Sequence, residues 1–104
     1  MVTAKIKEIN SLFPNVYRVI LENDMILDTF EYNRPVIGDS IRYSLGKNTN
    51  DEKYDTELNG TVYDTETKWV YISFGGLLCT PLKEDVLDLK LFDDVYLKYS
   101  ILRK

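Results

Sequence analysis

The chain predicts an all-β fold, a closed antiparallel β-barrel of about eight short strands forming one domain over residues 1–104. Three observations lead there. Eight tyrosines, four phenylalanines and one tryptophan, with many β-branched residues, sit in short alternating runs. Turn-forming Gly, Asn, Asp and Pro separate those runs. No stretch carries a sustained helical period. Closure into a barrel also removes the edges that strands this apolar would otherwise expose.

Val2, Ala4 and Ile6 alternate with Thr3, Lys5 and Lys7, a first strand with one buried face. Asn10-Ser11 and Pro14-Asn15 are expected to bracket a loop. Val16 to Glu22 reads as a second strand, with Tyr17, Val19 and Leu21 opposite Arg18, Ile20 and Glu22. Asn23-Asp24 turns the chain into a third strand, Met25 to Tyr32. Pro35 cannot donate to a ladder and belongs to a connection or an edge. Gly38-Asp39 leads into a fourth strand, with Ile41, Tyr43 and Leu45 on one face. Gly46 to Glu57 is the most polar segment and is expected to be a mobile loop. Leu58 to Thr65 and Trp69 to Phe74 form a hairpin around Glu66-Thr67-Lys68. The Gly75-Gly76 pair returns the chain through Leu77 to Leu82, because both central positions of a tight hairpin need φ > 0. Lys83 to Asp94 fits neither period and is expected to hold a single helical turn or an irregular loop. Val95 to Leu102 closes the fold, with Val95, Leu97 and Tyr99 on one side.

Composition removes most enzyme plans. There is no histidine and one cysteine, which excludes a Cys/His zinc site, a histidine base and an internal disulfide. Cys79, inside an apolar run, reads as a buried, inert thiol. The net charge of −4 argues against a nucleic-acid surface, since such affinity comes from Lys and Arg neutralising phosphates. Asp51, Glu52, Asp55, Glu57, Asp64 and Glu66 gather between residues 51 and 66, a patch suited to a basic protein partner or to solvation alone. Lys5, Lys7 and Glu8 interrupt any leader pattern at the start, and no apolar run approaches the roughly 20 residues of a bilayer span. A soluble, cytoplasmic protein with no membrane partner is expected.

Other constellations read as structural. Adjacent strand residues point to opposite faces, so neither Asp93-Asp94 nor Glu84-Asp85 converges on one metal ion. Tyr43, Tyr54, Tyr63 and Tyr71 could stack bases only along a basic groove, and the acids beside them oppose one. Gly75-Gly76 lacks the lysine and helix start of a phosphate loop. Phe74, Leu77 and Leu78 are more apolar than a free hairpin end requires, which suits either a core or a partner surface. No cofactor is called for.

Three stretches, Asn59–Tyr63 (NGTVY), Ser73–Leu78 (SFGGLL) and Val95–Leu97 (VYL), resemble in order and spacing the small shared subunit of multisubunit DNA-directed RNA polymerases. The matching positions are Gly60, Thr61, Tyr63, Ser73, Phe74, Gly75, Gly76, Leu77, Leu78, Tyr96 and Leu97. The resemblance is specific from about Leu58 to Leu102; before that it extends only to strand pattern. Nuclear members carry a long acidic insertion between the fourth and fifth strands, whereas Gly46–Glu57 is short, which points to the archaeal G-subunit type. The family implies a barrel of two halves related to the OB fold. It also implies a non-catalytic subunit packed on the largest polymerase subunit, supporting assembly or stability of the enzyme. Tyr71, Ser73, Phe74, Gly75, Gly76, Leu77 and Leu78 are the expected docking residues. The alternative reading is a free-standing OB-like module that binds single-stranded nucleic acid.

Overall fold

Eight antiparallel strands close into a barrel in a computed structural model that describes residues 2–48 and 51–104. They are β1 (Val2–Phe13), β2 (Val16–Leu21), β3 (Ile26–Phe30), β4 (Ser40–Gly46), β5 (Thr56–Thr65), β6 (Val70–Phe74), β7 (Leu77–Thr80) and β8 (Asp94–Leu102). Around the barrel the order is β1-β2-β3-β7-β6-β5-β8-β4, returning to β1. The predicted alternation holds on the inner face: Ile6, Val19, Leu21, Leu27, Ile41, Ile72, Val95, Leu97 and Tyr99 are buried to within 1% of complete. Each such aliphatic side chain contributes on the order of 1.5–3 kcal/mol by leaving water.

The largest difference from expectation is in β1. Asn10-Ser11 is not a loop but continues the strand, because β2 pairs with it up to Phe13↔Val16. Irregularities at Lys7 and Leu12 each insert one residue into β1, which lets the strand bend while keeping the pairing. The reversal is confined to Pro14-Asn15, with Asn15 at φ 66°. Local polarity suggested a break; cross-strand pairing overrides it.

β5 begins at Thr56, two residues before Leu58, and takes Glu57 into a pair with Lys98 of β8. Gly46 likewise belongs to β4. Between them Thr49 and Asn50, part of the segment expected to be mobile, lie outside the described residues. The returning limb is held to the barrel. Arg42 donates to the Lys53 carbonyl (2.9 Å), its guanidinium lies 4.0 Å from the Tyr54 ring centroid, and the Asp55 N–H donates to Ser100 Oγ (2.9 Å).

Lys83–Asp85 forms one 3-10 turn, followed by irregular chain to Asp93. This segment is tied to β5 at Val62, where the pairing with β6 shifts register between Val62 and Asp64: Phe92 N–H donates to the Val62 carbonyl (2.9 Å) and Val62 N–H to the Asp93 carbonyl (3.0 Å). Val86 and Leu89 join the core, which is why their spacing followed no single period. Asp93 accepts the Lys90 N–H (2.9 Å) and so closes the turn locally. No helix among the described residues is long and apolar enough to cross a membrane.

Candidate docking face

The β6–β7 hairpin is built as its sequence demands. Phe74 pairs with Leu77 across a two-residue turn, and Gly75 and Gly76 both take positive φ, 65° and 103°. The Gly76 N–H donates to Ser73 Oγ (3.3 Å). The pleat then divides the expected docking residues into two sets. Val70, Ile72 and Phe74 face inward, so Phe74 is a core side chain, 5% exposed, and Leu77 opposite it packs against the same core. Tyr71, Ser73 and Leu78 face outward, with the two glycines at the tip.

Outward-facing neighbours from three other strands complete the face. A shallow cleft of about 210 Å³ is lined by Arg18, Ile26, Tyr63, Tyr71, Leu78 and Thr80. The Tyr63 and Tyr71 rings lie 6.1 Å apart and tilted by 47°. Tyr71 Oη donates to Glu66 Oε1 (3.0 Å), and that carboxylate raises the phenol's pKa. Arg18 Nε and Nη2 donate to the two Asp28 oxygens at 2.7 and 3.1 Å, and the hydrogen bond to Asp28 raises the guanidinium pKa.

Asp28 has a second task. β3 and β7 share only two paired positions, Ile26↔Thr80 and Leu27↔Cys79. Where that ladder ends, the Leu78 N–H donates to Asp28 Oδ2 (3.0 Å). A side-chain carboxylate thus continues the closure between β3 and β7 and fixes Arg18 beside the cleft. Sequence reasoning missed Arg18, Ile26 and Asp28. The available signal was a lone carboxylate in the otherwise uncharged run Ile26–Phe30, placed to face an arginine across a hairpin.

Gly60 joins the matching stretches physically. A Cβ there would lie 2.3 Å from the Ser73 carbonyl oxygen and 2.5 Å from Phe74 Cδ1, so β5 and β6 approach as closely as they do only with glycine at 60. The four tyrosines considered for base stacking do not form one platform. Tyr43 is buried and accepts from Asn23 Nδ2 (2.8 Å), Tyr54 lies against Arg42, and only Tyr63 and Tyr71 meet.

The acidic segment is distributed rather than continuous. Glu52 lies 3.5 Å from Arg42, Glu57 lies 3.2 Å from Lys98, and Glu66 serves Tyr71. Cys79 is fully buried, 3.8 Å from Met25 Sδ, and desolvation pushes its pKa far up, which suits an inert thiol. Among the described residues no group of three or more Asp, Glu or Cys side chains is placed to hold a metal ion. No protein-family model matches this chain, and no curated protein matches it.

Proposed function

We propose that the protein is a non-catalytic structural subunit of a DNA-directed RNA polymerase, docked on the largest subunit and supporting assembly or stability of the enzyme. One observation supports this reading above the others. The three stretches that resemble the polymerase subunit occupy β5, the β6–β7 hairpin and β8, which are neighbours around the barrel. Gly60 pairs with Val95, Thr61 pairs with Ser73, and Gly60 abuts Phe74. The similarity therefore falls on one packed unit, where scattered coincidences have no reason to converge. The outward side of that unit carries Tyr63, Tyr71 and Leu78, with Arg18 of β2 lining the same cleft, a composition typical of the centre of protein interfaces.

The docking residues on this reading are Tyr71, Ser73, Leu78 and the Gly75-Gly76 tip; Phe74 and Leu77 support them from within. The test is retrieval of polymerase subunits from extract of the source organism by tagged protein, wild type against the double variant Tyr71→Glu/Leu78→Glu. Far-ultraviolet circular dichroism establishes that the variant is folded. Stoichiometric largest subunit with wild type and little with the folded variant is the expected result. Equal retrieval by both moves the docking face elsewhere, and retrieval of nucleic acid without polymerase subunits overturns the function.

A further inference from the structure

The barrel is closed by only the first part of β1. Val2–Lys5 pair with β4, and at Ile6 the strand exchanges hydrogen bonds with the Gly38–Asp39 backbone: Ile6 N–H to the Asp39 carbonyl (2.8 Å) and Gly38 N–H to the Ile6 carbonyl (3.1 Å). Beyond that point β1 continues to Phe13 with β2 as its partner, and on the opposite side no strand among the described residues pairs with it. The ladder alternation identifies the free groups. Leu21 and Asn15 direct backbone groups toward Met25 and Glu31 on the β3 side, so Arg18 and Ile20 face β1. Their partners Asn10 and Glu8 face β2 in turn, which leaves the Ile9 and Ser11 amides and carbonyls directed to the open side.

Natural edges of this kind are usually blunted by lysine or proline. Residues 8–13 contain neither; the bulges at Lys7 and Leu12 leave Glu8–Ser11 between them as regular strand, and Leu12 and Phe13 beyond it are exposed, the latter by 68%. Along the same side runs a groove of about 400 Å³ lined by Ile9, Arg34, Pro35, Val36, Ile37 and Lys104. Val36 and Ile37 are exposed apolar side chains there, and Arg34 and Lys104 make the groove locally basic on a chain of net charge −4. We infer that the open edge of β1 at Ile9 and Ser11 receives an extended, apolar, carboxylate-bearing segment of a partner protein as an added strand. Main-chain hydrogen bonds would hold it, alternate apolar side chains would cover Ile9, Val36 and Ile37, and acidic ends would meet Arg34 and Lys104. A second copy fits less well, because self-pairing brings the same cations together.

The inference does not depend on which assembly supplies the strand, and its failure leaves the β6–β7 face intact as a docking site. The test titrates isotopically labelled protein with the blocked peptide Glu-Val-Thr-Val-Thr-Val-Glu and follows amide exchange by NMR. Saturation is expected to slow exchange at Ile9 and Ser11 by about tenfold or more. Ser11→Pro removes a donor that β2 does not use, and it is expected to abolish that protection at Ile9. Peptides N-methylated on one edge are expected to lose binding while those methylated on the other keep it, a readout that leaves the protein unaltered. Arg34→Glu is expected to weaken binding of this peptide several-fold. Absence of protection at millimolar peptide, or protection indifferent to Ser11→Pro and to both methylation patterns, overturns the inference. Concentration-dependent dimerisation that protects the same amides without peptide assigns the edge to a second copy, and overturns it equally.

Discussion

Asp28→Ala should be among the most damaging single substitutions outside the apolar core, and the structure lets its size be worked out. The carboxylate is 3% exposed and accepts three hydrogen bonds, two from Arg18 and one from the Leu78 N–H. Removing it leaves the Leu78 amide without that acceptor at the β3–β7 closure, which costs about 1–3 kcal/mol. The partner charge adds less. Breaking a fully buried ion pair costs about 3–5 kcal/mol. The Arg18 side chain, however, is 36% exposed and can turn to water, so its share falls to about 1 kcal/mol. The amide dominates and the total is about 2–4 kcal/mol, a fall in Tm of roughly 10–20 °C for a domain of this size. Thermal unfolding followed by circular dichroism measures the shift, and amide exchange at Leu78 measures its cause. Asp28→Asn keeps an oxygen for Leu78 and should lose about half as much. A Tm for Asp28→Ala within about 2 °C of wild type, or equal losses for Ala and Asn, would refute the closure argument.

Gly60→Ala should destabilise by about 1–3 kcal/mol, since its methyl meets the Ser73 carbonyl oxygen and cannot be relieved by a rotamer change; urea unfolding measures it. Phe74→Asp should abolish folding while Tyr71→Glu leaves the dichroism spectrum unchanged, because the first side chain is buried and the second faces outward. Asp39 predicts an acid-sensitive limb. Burial alone would raise its pKa, but the Val36 and Lys104 N–H groups and the Arg103 guanidinium outweigh burial and lower it. With the folded value below the unfolded one, near 3.9, the unfolded chain takes up protons first as pH falls. The contribution is complete above that value and lost as pH drops through the folded one. Asp39→Asn should therefore lower Tm at neutral pH and flatten its decline below about pH 4, as scanning calorimetry across pH would show.

Much of the fold was legible because strand period and turn chemistry agreed. The inward faces of β2, β4, β6 and β8 follow directly from alternation, and the Gly75-Gly76 hairpin follows from backbone conformation alone. What escaped were features set by distant partners. Asn10-Ser11 looked like a break until β2 was laid beside it, and Thr56-Glu57 looked like loop until β8 supplied Tyr99 and Lys98. Leu89 lies in the core only because the 86–93 segment folds back onto β5 at Val62. The candidate face was half legible. Apolarity singled out Phe74, Leu77 and Leu78, but which of those side chains point outward depends on the pleat. That counts Phe74 inward and Tyr71 outward. Arg18 and Asp28 come from strands far away in sequence, and one hairpin register brings them to the face.

The most direct test of the central claim is the subunit composition of RNA polymerase purified from the source organism through a tag on its largest subunit. Quantitative mass spectrometry should find this chain at one copy per enzyme, retained through size-exclusion chromatography. Intact, active polymerase lacking the chain, with the chain eluting elsewhere, would contradict the assignment.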